Sequence, residues 1–176
     1  SGPIARLPIP LYSIKHVQQQ CVDINDDIRW LIGIISDSGM RLSEAAGLII
    51  SDIQLSANIP YVTVKEHSWR QLKTSSSTRE IPLIGMSLWG VKQAISSAKN
   101  EFLFPRYCNK HKCKADYASS TLNKWLRGHV PDGCVVHSFR HSMRDRLRAV
   151  QCPFVFAHKG QSNSYPNSWP NTCCVR

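Results

Sequence analysis

Two histidines and an arginine fall within five residues at His137-Ser138-Phe139-Arg140-His141, and Arg144 follows. On a helix, His137, Arg140, His141 and Arg144 stand at i, i+3, i+4 and i+7, so one face carries all four. A guanidinium offers a planar fork for two phosphate oxygens, and an imidazole moves a proton near neutral pH. The set therefore suits work on a phosphate. Phe139, Met143, Leu147 and Val150 form a second, apolar face that is expected to pack inward. The plain alternative is a basic surface helix in water. Two further segments weigh against it.

The first is Gly39-Met40-Arg41-Leu42-Ser43-Glu44. An Arg just before a helix start, with Glu three residues on, lets the carboxylate fold back on the backbone or hold the guanidinium. The second is Lys73-Thr74-Ser75-Ser76-Ser77-Thr78-Arg79-Glu80-Ile81-Pro82-Leu83. It puts a lysine on a polar hairpin tip, Glu66 to Thr78, within reach of a phosphate. Taken singly, an exposed ion pair and a solvated lysine explain both.

The elements that must carry these residues follow from periodicity and turn chemistry. Residues 1–20, with Pro3, Pro8, Pro10 and Gln18-Gln19-Gln20, read as an extended lead-in. Asp23–Asp37 has Ile24, Ile28, Leu31, Ile34 and Ile35 at helical spacing, with Asp23 or Asn25 as cap. Ser38-Gly39 breaks it, and Ser43 is placed to start a short helix that stops at Gly47. Ile49–Leu55, Tyr61–Lys65 and Arg79–Leu83 read as strands, with Pro82 marking an edge. Helices are expected again over Ser87–Lys99, Tyr117–Gly128 and from about Val136. Helices, then a small antiparallel sheet, then helices give an α+β fold, mainly helical with three strands. The pattern fails after Pro153. The chain divides into a lead-in (1–20), one catalytic-type domain (21–153) and an irregular tail (154–176).

At 176 residues and 42% hydrophobic the chain can bury a core. Its net charge of +10 is spread along the chain, which points to a folded basic surface and a polyanionic partner. No apolar run approaches a membrane span. The seven cysteines are odd in number and irregular in spacing, so free thiols in a reducing compartment are expected. Cys108, His111 and Cys113, with His129, Cys134 and His137 downstream, offer zinc-type donors. The spacing is not a paired knuckle and its flanks are basic, so no metal is assigned. Lys110, Lys112 and Lys114 are read instead as DNA-backbone contacts or a solvated surface.

In this order, Arg41 with Glu44, Lys73 on a hairpin and His137-x-x-Arg140-His141 resemble the tyrosine recombinases, the phage integrase family. The resemblance covers roughly residues 12–152. It implies a phosphoryl transfer without metal, ATP or any other cofactor, in which a tyrosine attacks a DNA phosphodiester and leaves a 3′-phosphotyrosyl bond. Arg41 and Arg140 would clamp the phosphate, Lys73 would protonate the leaving 5′-oxygen and His137 would hold the nucleophile's proton. Glu44 and His141 would brace the site, and Arg79 and Arg144 join the three lysines as expected DNA contacts. The implied partner is double-stranded DNA in a bacterial cytoplasm, at the nucleoid, with four copies on DNA and a monomer without it. An N-terminal DNA-binding domain would precede this part.

The tail departs from the family pattern. A further imidazole and then the nucleophile are due near residue 160, and the chain offers His158 and, seven residues on, Tyr165, followed by Pro166. Three readings stay open. Tyr165 is the nucleophile of a divergent tail, the proper tail is lost, or the true tyrosine lies further on. Loss of the tail is favoured; the domain would then bind DNA without cutting it.

Overall fold

The computed structural model describes residues 7–74 and 77–150. Its helices are α1 (Leu11–Ile24), α2 (Asp27–Ser38), α3 (Leu42–Ala46), α4 (Gly85–Ser96), α5 (Ala115–Leu126) and α6 (Ser138–Ala149). The strands β1 (Ile53–Gln54), β2 (Tyr61–Val64) and β3 (Arg79–Pro82) lie between α3 and α4 in one antiparallel sheet ordered β1-β2-β3. The expected α+β class is the observed one.

The central element is α2. Leu31, Ile32, Ile34 and Ile35 point in successive directions around the helix, and all are buried. A helix that is apolar all round must be covered on every side. Helices α1, α4 and α6 cover it, and α4 does so most extensively. Gly90 permits the α2–α4 approach, since a Cβ there would stand 2.5 Å from the Trp30 carbonyl oxygen. Asp37, near the end of α2, then ties two helices at once. It accepts from the Met86 N–H at the start of α4 (2.9 Å) and from Arg146 Nη1 on α6 (3.1 Å). The first bond satisfies an orphan amide donor at a helix start.

In the sheet, Val62↔Ile81 and Val64↔Arg79 fix the β2–β3 register. Val62, Val64 and Ile81 face the core, and Pro82 sits on an edge strand where a missing N–H costs no ladder bond.

Several sequence expectations are corrected. The extended lead-in gives way from Leu11 to a full helix whose Ile14, Val17 and Cys21 are buried at helical spacing. Of the glutamines that suggested a linker, Gln19 is exposed, whereas Gln18 turns toward α2 and its Nε2 donates to Ser36 Oγ at 3.0 Å. The helix expected over Asp23–Asp37 is two helices. Asn25 adopts a left-handed conformation (φ 51°) and closes α1, while Asp26, not Asp23 or Asn25, caps α2 by accepting from the Arg29 N–H (3.0 Å). The first strand is reduced to two residues because a 3-10 turn occupies Ile50–Asp52. Arg41, not Ser43, is the residue before the first turn of α3. Val150 is exposed, whereas Phe139 and Met143 are buried as expected. Cys108 and Cys113 are joined in a disulfide, against the expectation of free thiols, while Cys21 and Cys134 are free. His158, Tyr165 and the rest of the tail lie outside the described residues, as do residues 75 and 76 of the hairpin.

Candidate active site

The site grows from the break after α2. Gly39 ends that helix in a left-handed conformation (φ 65°), its N–H bonded to the Ile35 carbonyl at 3.0 Å. The turn leaves the Gly39 carbonyl facing α6, where Arg140 Nη1 donates to it at 2.7 Å. Arg140 is thus not on a solvated face as the polar stripe of its helix suggested. It is 5% exposed, and its guanidinium is held in register with the segment that carries Arg41.

Glu44 is the hub. Its side chain is 3% exposed and takes four hydrogen bonds. Oε1 accepts from Arg41 Nη1 (3.2 Å) and Arg79 Nη1 (3.1 Å); Oε2 accepts from the Arg41 backbone N–H (2.9 Å) and Arg79 Nη2 (2.8 Å). That fills the acceptor capacity of a carboxylate. Both roles read from the Arg-x-x-Glu spacing are filled together, the backbone cap and the guanidinium brace. Arg79 adds a third contact by gripping the same carboxylate.

Charge follows burial. Burial alone would raise the Glu44 carboxyl, but the hydrogen bonds and charges of Arg79 and Arg41 outweigh it and hold the group below the usual carboxylate range. Burial lowers Arg140 to about 10, helped by the positive charges of Arg41, Arg144 and Arg79 and opposed by Glu44. Arg140 is therefore still a cation at neutral pH, with the cations Arg41, Arg144 and Arg79 and the Glu44 carboxylate acting on it. Such a cluster gains from an anion placed among its guanidiniums.

A cleft of about 260 Å³ opens beside it, lined by Arg41, Ser43, Asp116, Ser119 and His137 among others. His137 immediately precedes α6, and its ring meets that of His141 edge-on with centroids 5.2 Å apart. The structure thus brings together Arg41, Glu44, Arg79, His137, Arg140, His141 and Arg144. Lys73 is exposed on the β2–β3 connection, and Lys110, Lys112 and Lys114 are exposed at a separate turn closed by the Cys108–Cys113 bond. Ser68 Oγ, donating to the Lys110 carbonyl at 3.5 Å, is a long contact between the two segments. Among the described residues, no group of three or more His, Cys, Asp or Glu side chains could hold a metal ion.

Sequence reasoning missed the base of the connection. Arg70 is 3% exposed and donates through Nη1 to the Glu44 carbonyl (2.6 Å) and through Nη2 to the Lys65 carbonyl. Trp69 Nε1 donates to the Gly47 carbonyl (3.0 Å), and the Trp69 ring stacks on His67 with centroids 4.4 Å apart. His67 Nε2 lies 3.0 Å from both carboxylate oxygens of buried Asp52. These residues sit in a polar run with no period, so nothing local marked them. The one signal was a tryptophan inside an otherwise hydrophilic hairpin.

The Phage integrase family matches residues 13–159, and the chain belongs to it. The fold is similar to that of solved tyrosine recombinases at low identity. The Tn1549 transposon integrase bound to circular intermediate DNA shares 16% identity at a TM-score of 0.61, over 85% of this chain and 56% of that one. XerH site-specific recombinase bound to its difH substrate shares 20% at 0.59, over 84% and 43%, and XerA recombinase 12% at 0.62, over 86% and 55%. The chain thus spans about half the length of the structures it matches. No curated protein sequence matches it. No described helix is long and apolar enough to cross a membrane.

Proposed function

We propose that this domain is the catalytic part of a site-specific DNA recombinase that cuts and rejoins strands through a 3′-phosphotyrosyl link. The observation that carries the reading is the guanidinium cluster around Glu44, with His137 in the adjoining cleft. In the reaction, the tyrosine oxygen attacks the phosphorus and the bond from phosphorus to the 5′-oxygen breaks. The non-bridging oxygens gather negative charge, which Arg41 and Arg140 stabilise because they are already in place. His137 takes the tyrosine proton, and Lys73 delivers one to the departing 5′-oxygen. The bond energy is retained in the protein–DNA link, so a 5′-hydroxyl from another strand reverses the step. Glu44 holds Arg41, and His141 packs against His137. Tyr165 is the candidate nucleophile and His158 the candidate second imidazole.

Double-stranded DNA is the partner in this reading. Arg144, Lys110, Lys112 and Lys114 contact its backbone, and Arg79 reaches it only through the phosphate site. The domain acts inside a bacterial cell as part of a phage or mobile-element recombinase, four copies assembling on two DNA sites.

The test is a pool of nicked duplexes with randomised sequence. Protein-linked DNA is recovered under denaturing conditions and sequenced. A covalent product that disappears in Tyr165→Phe supports the reading. Salt-sensitive binding with no covalent product would make the domain a DNA-binding remnant of the same fold. Absence of binding at low salt sinks the proposal.

A further inference from the structure

Both ends of the segment that carries Lys73 are fastened to one residue. At its start, Arg70 donates to the Glu44 main-chain carbonyl. At its end, Arg79 grips the Glu44 carboxylate. The same carboxylate holds Arg41. Lys73 therefore lies between two feet, Arg70 and Arg79, planted on the residue that fixes the phosphate clamp. The first foot is itself well braced. His67 and Arg70 exchange two backbone hydrogen bonds of 3.0 Å, which closes a tight turn. Gly47 leaves the space that Arg70 fills, since a Cβ there would stand 2.9 Å from Arg70 Cδ.

From this geometry we infer that Arg70 is a positioning residue for Lys73, setting the reach of its ammonium toward the phosphate held by Arg41 and Arg140. The inference rests on the reading of Lys73 as general acid. Arg70 suits the task because its planar fork holds two carbonyls in a fixed geometry, one on α3 and one just past β2, where an ammonium is a less directional point charge. Its burial means that it acts through the backbone and touches no DNA.

The test has two arms. In the first, amide hydrogen exchange is followed in Arg70→Met, which keeps the length of the side chain and removes its donors. The amides of His67 and residue 70, each hydrogen-bonded across the turn at 3.0 Å, should exchange at least about ten times faster while those of α2 are unchanged. Arg70→Lys, which keeps the charge, should fall between, and serves if the Met variant folds poorly. Unchanged exchange at residues 67 and 70 overturns the inference.

In the second arm, covalent product formation is timed for Lys73→Ala, Arg70→Met and the double variant. Arg70→Met should slow cleavage by about 10- to 100-fold, and the double variant should be no slower than Lys73→Ala. On a duplex with sulfur in place of the 5′-bridging oxygen, the leaving thiolate needs no proton, so both single variants should return to near the wild-type rate. If Lys73→Ala is restored and Arg70→Met is not, Arg70 does not act through Lys73 and the inference fails. If Lys73→Ala is not restored, the general-acid reading fails instead. A wild-type chain that forms no covalent product removes the recombinase reading and the catalytic half of the inference, and the exchange arm still decides the anchoring half.

Discussion

Two basic regions of this molecule differ in what surrounds their charge. Around Glu44, three arginines come from three different elements and are tied to fixed oxygens: Arg41 and Arg79 to the carboxylate, Arg140 to the Gly39 carbonyl. At the Cys108–Cys113 turn, Lys110 and Lys112 stand in water, with Lys114 just beyond, and no ion pair holds them among the described contacts. Removing solvent strengthens an electrostatic interaction and fixing the donors removes the cost of reorganising them. Exposed lysines keep their freedom and their screening. In the proposed reaction the first region acts on the transition state, and the second only adds to binding.

The largest effect should separate the two in activity. Arg140→Lys keeps a positive charge but loses the planar fork. Strand cleavage in the nicked-duplex assay should fall about 100- to 1,000-fold, the usual consequence of losing one preorganised donor. Lys112→Ala should leave the cleavage rate at saturating protein unchanged. Equal losses in both variants would erase the distinction.

Stability should separate them next. Glu44→Ala leaves Arg41 and Arg79 facing each other at 26% and 22% side-chain exposure without their shared carboxylate. Breaking a buried pair from one side costs about 3–5 kcal/mol, and the partial exposure of both arginines brings the expectation to about 2–3 kcal/mol in urea unfolding. Lys110→Ala should stay within about 0.5 kcal/mol of the parent. In DNA binding the order reverses. Replacing Lys110, Lys112 and Lys114 together should reduce the slope of log affinity against log salt by about 3, one unit per phosphate contact. An unchanged slope would mean that this turn faces away from DNA.

The same contrast decides what was legible in the sequence. Arg41, Glu44, Lys73 and the His137–His141 group stand in short motifs whose residue types state their chemistry, and α2, α4 and α5 announce themselves by apolar period. Arg140 was legible as a functional residue but not as a buried one, because its burial depends on Gly39 from a segment about a hundred residues away. Helix α1 was hidden by the prolines before it and the run of glutamines within it; only the Ile14, Val17 and Cys21 spacing marked it. Arg70 carried no local signal, since its partners are main-chain carbonyls, which every residue has. Pairing of Cys108 with Cys113 was equally silent, because an irregular cysteine count says nothing about which two approach.

Acid should produce the smallest and most specific difference. Glu44 is held below its ordinary value in the folded protein, so as pH falls the unfolded chain takes up the proton first. Stability from this carboxylate is therefore complete above the unfolded value, near 4.5, and drains away as pH drops through the lower folded value. In urea midpoints measured from pH 6 downward, the acid limb should be steeper in the parent than in Glu44→Gln, which has no proton to take up there. Lys110→Ala, Lys112→Ala and Lys114→Ala remove no carboxyl group, so their acid limbs should run parallel to the parent's. If Glu44→Gln also runs parallel, the carboxylate is not the charged anchor of the three-arginine site. The two basic regions would then differ in burial alone.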